Sequence, residues 1–276
     1  RLIETIGNNL DCLFTILRFN IEHNLYFFRI TSDIVPFGSH PINTFEWQNF
    51  FNKRFRALGE FINFHKIRVS MHPDQFTLIN SVDNEVFQRS VKELRYHADV
   101  LDLLGVPGSA KIQIHVGGVY GDKKKSIQRF IQRYEKIDTS IKERLVIEND
   151  DKQYTLQDCY TIHKETGIPI VFDFFHHELN NSGEKLCKAF EIFTKTWDRK
   201  DGIPMVDYSH QKRGRLPGTH TETINLSRFK TFLDATKPFD FDIMLEIKDK
   251  EKSALMAVEI ASQDNRFKKI HAHASN

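Results

Sequence analysis

Cysteine is scarce in this sequence: Cys12, Cys159 and Cys187 are the only three in 276 residues, far apart and forming no C-x-x-C pair. That excludes a disulfide framework and suits a reducing compartment. Net charge is almost absent as well. With 39 Lys and Arg against 37 Asp and Glu, the formal charge is +2, so any attraction to nucleic acid has to come from local patches. No apolar run approaches the ~18 residues of a membrane span, and the opening RLIETIGNNLDCLFTILRFN is amphipathic rather than a signal peptide. A glycine-rich G-x-G-x-x-G turn, a Walker loop and a serine nucleophile elbow are all missing. The expectation is a cytoplasmic protein with no membrane contact.

What the chain has is a repeated alternation of short apolar runs with longer amphipathic ones, the pattern of parallel β/α proteins. Seven strands are predicted: LYFFRITS (25–32), KIRVSMH (66–72), KIQIHVGG (111–118), RLVIEND (144–150), PIVFDFFH (169–176), IPMVDYS (203–209) and DIMLEIK (242–248). Each is nearly continuously apolar up to a polar end, as a strand covered on both faces requires. Helical patterns fill the gaps. A further helix precedes them all, with Ile3, Ile6, Leu10, Leu13, Ile16 and Leu17 on one side. The chain enters this helix at Arg1, which reads as a sequence with something upstream removed. Seven strand-helix units after an unpaired helix equal eight units without the first strand. The predicted fold is therefore a (β/α)₈ TIM barrel lacking its opening strand, a single domain over 1–270 with a tail at 271–276. An open doubly wound sheet is the alternative, but it normally carries the absent glycine-rich loop.

The strand ends carry the chemistry. In a barrel they open onto one face, and here they bring His72, His115, Glu148, Asp173, His176, Asp207 and Glu246 there, with His40 and His220 in adjoining loops. All nine are imidazoles or carboxylates. Such groups are costly to bury unless something binds them, and they suit divalent cations such as Mn²⁺ or Zn²⁺, with Co²⁺ or Mg²⁺ also possible. Nine exceed the ligands of one ion, so two or three ions are implied. Asp173 and His176 need a bend between them to face one centre. His177 either supports a ligand or points outward. Clustered metals favour displacement at phosphorus, although sugar isomerases also place two metals in barrel mouths.

In order and spacing, RITSDIVPFGSHP, SMHPDQF, HVGG, ENDD, DFFHH, DYSHQ before PGTH, and MLEIKDKE resemble the ultraviolet damage endonucleases, relatives of the endonuclease IV type of apurinic-site nuclease. The resemblance runs from ILRFN to KDKE. It implies a monomeric, metal-dependent endonuclease, manganese being the expected cofactor. Such an enzyme cuts duplex DNA 5′ to pyrimidine dimers and other lesions, abasic sites among them, and associates with the nucleoid when it acts. By the same resemblance His72 and His115 share an ion with Glu148, which bridges to a second ion taking Asp173, Asp207 and Glu246. A third ion takes His176 and His220, and His40 matches a further histidine of the site. Glu148, His72, His115 and Glu246 are the catalytic candidates, and Gln75 and Phe76 would probe the damaged base pair. For Phe76, ordinary core packing after a strand is the competing reading.

The sequence departs from the family pattern in three places. Met205 and Asp207 stand in MVD where some members have K-x-H, Phe76 lacks the hydroxyl of the usual tyrosine, and the first strand with its Gly-Tyr-Pro element is absent. Cations for phosphate contact are at hand in HQKRGRLPGTH (Lys212, Arg213, Arg215), flanking a proposed ligand. Lys123, Lys124 and Lys125 in GDKKKS read more simply as a solvated run. Beside the repair endonuclease, a sugar isomerase and a catalytically impaired damaged-DNA binding module stay open.

Overall fold

Every one of the seven apolar runs forms a strand. The computed structural model describes residues 1–268; the tail expected at 271–276 lies outside the described residues. The strands are β1 (Phe27–Ile30), β2 (Arg68–Met71), β3 (Lys111–His115), β4 (Leu145–Glu148), β5 (Ile170–Asp173), β6 (Met205–Tyr208) and β7 (Asp242–Leu245). They are parallel and lie in chain order, β1 to β7, within one sheet. The helices are α1 (Leu2–Glu22), α2 (Trp47–Phe64), α3 (Asn84–Leu104), α4 (Lys123–Tyr134), α5 (Thr139–Lys142), α6 (Leu156–Thr166), α7 (Phe174–Leu179), α8 (Leu186–Thr194), α9 (Leu226–Ala235) and α10 (Glu251–Ala261). This is a TIM barrel of seven strands with its helices outside.

Local chemistry sets the boundaries. Asp83 caps α3 by accepting from Glu85 N, and Gly105 ends that helix in the left-handed conformation. Thr155 and Asp158 form a reciprocal capping box at α6, a device worth about 1 kcal/mol. Trp47, Phe51, Phe55, Leu58 and Ile62 recur at helical spacing and are the buried face of α2. Truncating the fully buried Phe55 would cost about 3–5 kcal/mol. In the HVGG segment Gly117 has φ +110°, and a Cβ there would lie 2.3 Å from Asn80 Oδ1, so only glycine fits.

β1 and β7 end the sheet with no ladder between them among the described residues. A groove of about 1180 Å³ runs there, lined by Leu13, Ile16 and Phe19 of α1 with Phe28 and Ile243 of the two strands. This corrects the reading of α1: Ile6, Leu10, Leu13 and Leu17 are buried, but Ile3 and Ile16 are exposed. Without a strand between β1 and β7, the second apolar flank of α1 has nothing to cover it.

The amino end of the barrel is closed by a buried ionic plug. Lys111 Nζ donates to Asp201 Oδ1 at 2.6 Å and Glu143 O at 2.8 Å. Arg68 bonds Asp242 Oδ2 at 2.7 Å and the carbonyls of Ser109, Asp201 and Ile203. Two cations meet two carboxylates, and carbonyls take the remaining donors, which is how buried charge is tolerated.

Candidate metal centre

The opposite end is built from the last residues of the strands. The register pairs His115 with Glu148 and Asp173 with Asp207, so these polar ends lie level around the mouth. His72 and Glu246 each follow their strand by one residue. At β5 the expected bend is a helix start. Asp173 ends the strand and caps α7, its Oδ1 accepting from His176 N at 2.7 Å, and this turns His176 back toward Glu148. The strand therefore stops at Asp173, short of the 176 expected from its apolar pattern. Asn149 supports the turn through a reciprocal pair, donating to Asp173 O and accepting from Asp173 N, both at 3.0 Å.

Three overlapping groups offer ligand atoms within 4.8 Å of one another: His72, His115 and Glu148; Glu148, Asp173 and His176; and Asp173, Asp207 and Glu246. Glu148 and Asp173 are each shared. Glu148 Oε1 is 2.9 Å from His176 Nδ1, while Oε2 is 3.4 Å from His72 Nε2 and 3.8 Å from His115 Nε2. Asp173 Oδ2 and His115 Nδ1 are buried with no hydrogen-bond partner. Clustered buried carboxylates and imidazoles, among them an Asp173 Oδ2 that accepts no hydrogen bond and lies 3.5 Å from His176 Nδ1, fit divalent cations of the nitrogen- and oxygen-binding kind.

Seven of the nine predicted ligands thus gather. His220 lies beside them, its ring 6.2 Å from that of His176 and its Nδ1 3.9 Å from Glu246 Oε2. His40 belongs to none of these groups: it is exposed, its ring lies near Phe37, and Nδ1 accepts from Ile42 N. His177 is buried against Phe172 and 3.8 Å from Glu184, within the helix layer; it neither joins the cluster nor points to solvent. Met205 is buried in β6, two residues before Asp207.

Two contributors were not foreseen. Arg29 donates to Glu246 Oε1 at 2.5 Å and to both oxygens of Asp207 and to Gln113 Oε1 at 2.9 Å. Gln113 in turn donates to Glu148 Oε2 at 2.6 Å and Asp207 Oδ2 at 2.5 Å. Both were visible in principle. Arg29 is the one charge in the apolar run LYFFRI, and Gln113 sits two before His115, on the same face of its strand.

The carboxylates outnumber the cations at this end, and the proton affinities record it. Burial pushes Asp173 well above the usual carboxylate range, the nearby charge of His176 only partly offsetting it. Burial likewise pushes Asp207 up to about 7 against the pull of Arg29. Glu148 is held well below its ordinary value: burial opposes this, but His115, His176 and His72 outweigh it. His176 is raised to about 11, burial being overcome by Asp173 and Glu148. An imidazolium thus lies between two carboxyl groups.

The rim adds other groups. Phe76 is 72% exposed beside an exposed Gln75, so core packing does not account for it. Arg213 and Arg215 are exposed and make no ion pair among the described residues, whereas Lys212 is tied to Glu222. Lys123 is held by Asp158 and Lys125 by Asp122 at the start of α4, which accounts for that lysine run as a capped helix end.

A UV DNA damage endonuclease of Clostridium perfringens is 41% identical over 268 residues, 96% of this chain and 65% of the relative. The chain thus spans just under two thirds of that protein's length. A crystal structure of SacUVDE matches with 43% identity and a TM-score of 0.92, over 97% of this chain and 90% of that one. Endonuclease IV from Thermus thermophilus shares the fold at 17% identity and a TM-score of 0.60, over 90% and 94% of the two chains. The model of the UV-endonuclease UvdE family matches residues 1–275, and with these identities the chain belongs to that family.

Proposed function

We propose that this chain is a metal-dependent DNA repair endonuclease, hydrolysing the phosphodiester 5′ to ultraviolet photoproducts, pyrimidine dimers above all, and to abasic sites in duplex DNA. Mn²⁺ is the proposed cofactor, in two or three ions. The observation that supports this most is the set of three ligand groups joined through Glu148 and Asp173 in the barrel mouth. His72, His115 and Glu148 would hold one ion, Asp173 and His176 with Glu148 a second, and Asp207 and Glu246 with Asp173 a third. Bound there, divalent cations supply Lewis acidity, which eases ionisation of water and offsets charge on a phosphodiester in the transition state.

The chain's own residues prepare the site. Arg29 holds Glu246 ionised and aligns it with Asp207, Gln113 spaces Asp207 from Glu148, and Asn149 fixes the turn that presents His176. His176 would have to give up its extra proton to serve as a ligand beside Asp173 and Glu148. At the rim, Arg213 and Arg215, with Lys212, are suited to phosphate contacts that bind without reading sequence. Gln75 and Phe76, both exposed, would enter a weakened base step.

The test uses supercoiled plasmid, irradiated or untreated, with Mn²⁺ or with chelator. Relaxed circles are expected only in the irradiated sample given metal. Intact irradiated plasmid with Mn²⁺ present would overturn the proposal; aldose-ketose interconversion would then favour a sugar isomerase, and binding without incision a damaged-DNA binding module.

A further inference from the structure

The loop between β6 and α9 is built as a rigid finger. At its base Gln211 and His220 form an antiparallel bridge, with Lys212 N donating to Thr219 O at 2.7 Å. The Gln211 side chain then fills the loop, its Nε2 lying 3.0, 3.3 and 2.9 Å from the carbonyls of Lys212, Arg215 and Leu216, and its Oε1 accepting from Gly218 N at 3.0 Å. Gly218 adopts φ +84°, and a Cβ there would meet Asp151 Oδ2 at 2.7 Å. One buttressed amide therefore fixes the backbone that carries Arg213, Arg215 and Leu216.

Leu216 is 82% exposed on this finger. A single exposed leucine is ordinary and carries nothing alone. Three further facts distinguish it. The backbone beneath it is over-determined, so the side chain is not free to fold away. Exposed arginines, Arg213 and Arg215, flank it without ion pairs among the described residues. The strand order also places the β6 loop across the mouth from the β2 loop, which bears the exposed Phe76. Two apolar tips thus face outward on opposite rims with the ligand cluster between them.

We propose that Leu216 is a second wedge, entering duplex DNA from the side opposite Phe76 while Arg213 and Arg215 hold flanking phosphates. The inference rests on the endonuclease reading. Opening a base step costs stacking, least where a lesion has already weakened it. Two wedges acting on neighbouring steps select for damage more sharply than one, because both steps must yield. The arginines contribute affinity common to all duplexes, and the leucine contributes preference.

Binding is measured in chelator, so that nothing is cut, to irradiated and undamaged duplexes carrying 2-aminopurine on either side of the lesion. Leu216→Ala is expected to lower the preference for irradiated duplex about tenfold, with affinity for undamaged duplex unchanged. It should also abolish the fluorescence rise on one side of the lesion, and Phe76→Ala should abolish it on the other. Arg213→Ala with Arg215→Ala should weaken both duplexes equally and reduce the salt dependence. Unfolding temperatures of the variants check that the finger remains folded. Wild-type preference and both fluorescence signals in Leu216→Ala would overturn the second wedge. A wild-type protein that shows no preference for irradiated duplex and leaves irradiated plasmid intact with Mn²⁺ would overturn the endonuclease reading itself.

Discussion

The two ends of the barrel both bury charge, but they balance it differently. At the amino end Arg68 and Lys111 meet Asp201 and Asp242, each cation on a carboxylate and on backbone carbonyls. At the carboxyl end Glu148, Asp173, Asp207 and Glu246 crowd together, and among the described residues the only fixed cation bonded to them is Arg29. One end is neutral as folded, and the other is left short of positive charge. A buried ionic cluster that satisfies itself is architecture, whereas one that does not is suited to bind what it lacks.

The largest effect should come from breaking the side that lacks charge. Glu148→Gln removes the carboxylate shared by two ligand groups. We expect nicking of irradiated plasmid to fall at least ~10³-fold and the divalent content of the purified protein to drop. Nicking assays and metal analysis check both, and full activity in this variant would remove Glu148 from the mechanism. Lys111→Met is the counterpart at the neutral end. It strands Asp201 in the interior, and we expect a loss of about 3 kcal/mol of stability with metal content unchanged. Added Mn²⁺ should not restore the unfolding temperature beyond its effect on wild type.

Arg29→Gln separates the two cases further. Removing it leaves Asp207 and Glu246 facing each other without their cation, a loss of about 2 kcal/mol in the metal-free protein. Here Mn²⁺ should recover most of the deficit, because an ion bound only by the folded state stabilises it and supplies the missing charge. Equal rescue of the Lys111 and Arg29 variants in a thermal unfolding series would erase the distinction between the ends.

Much of this was legible in the residues themselves. All seven strands fall where apolar runs meet polar ends, since a strand buried on both faces leaves that signature. Seven of the nine candidate ligands come together because a barrel gathers strand ends whatever their separation in sequence. His40 could not be judged in the same way: it lies in a loop, where no periodicity says which way a side chain turns. The end of β5 was overrun because Phe174 and Phe175 continue its apolar pattern, while the stop signal is Asp173 acting as a helix cap. Arg29 and Gln113 are hard to read because polar residues inside a strand look like exceptions until their partners, Asp207 and Glu246 for Arg29 and Glu148 and Asp207 for Gln113, are brought alongside.

The smallest effect tests the charge deficit by titration. His176 is raised from 6.5 to about 11 in the folded, metal-free protein by Asp173 and Glu148, against the lowering effect of burial. A group whose folded value lies above its unfolded one contributes stability that is complete below about pH 6.5 and is lost as pH climbs toward 11. Between pH 7 and 9 the metal-free protein should therefore lose about 1 kcal/mol per pH unit, read from denaturant unfolding with chelator present. His176→Gln should flatten that slope. Mn²⁺ should oppose it in the wild type, because a cation held by these residues would compete with the proton on His176 and so would bind more tightly as pH rises. A slope that persists in His176→Gln would mean that the proton bridging those carboxyl groups resides elsewhere.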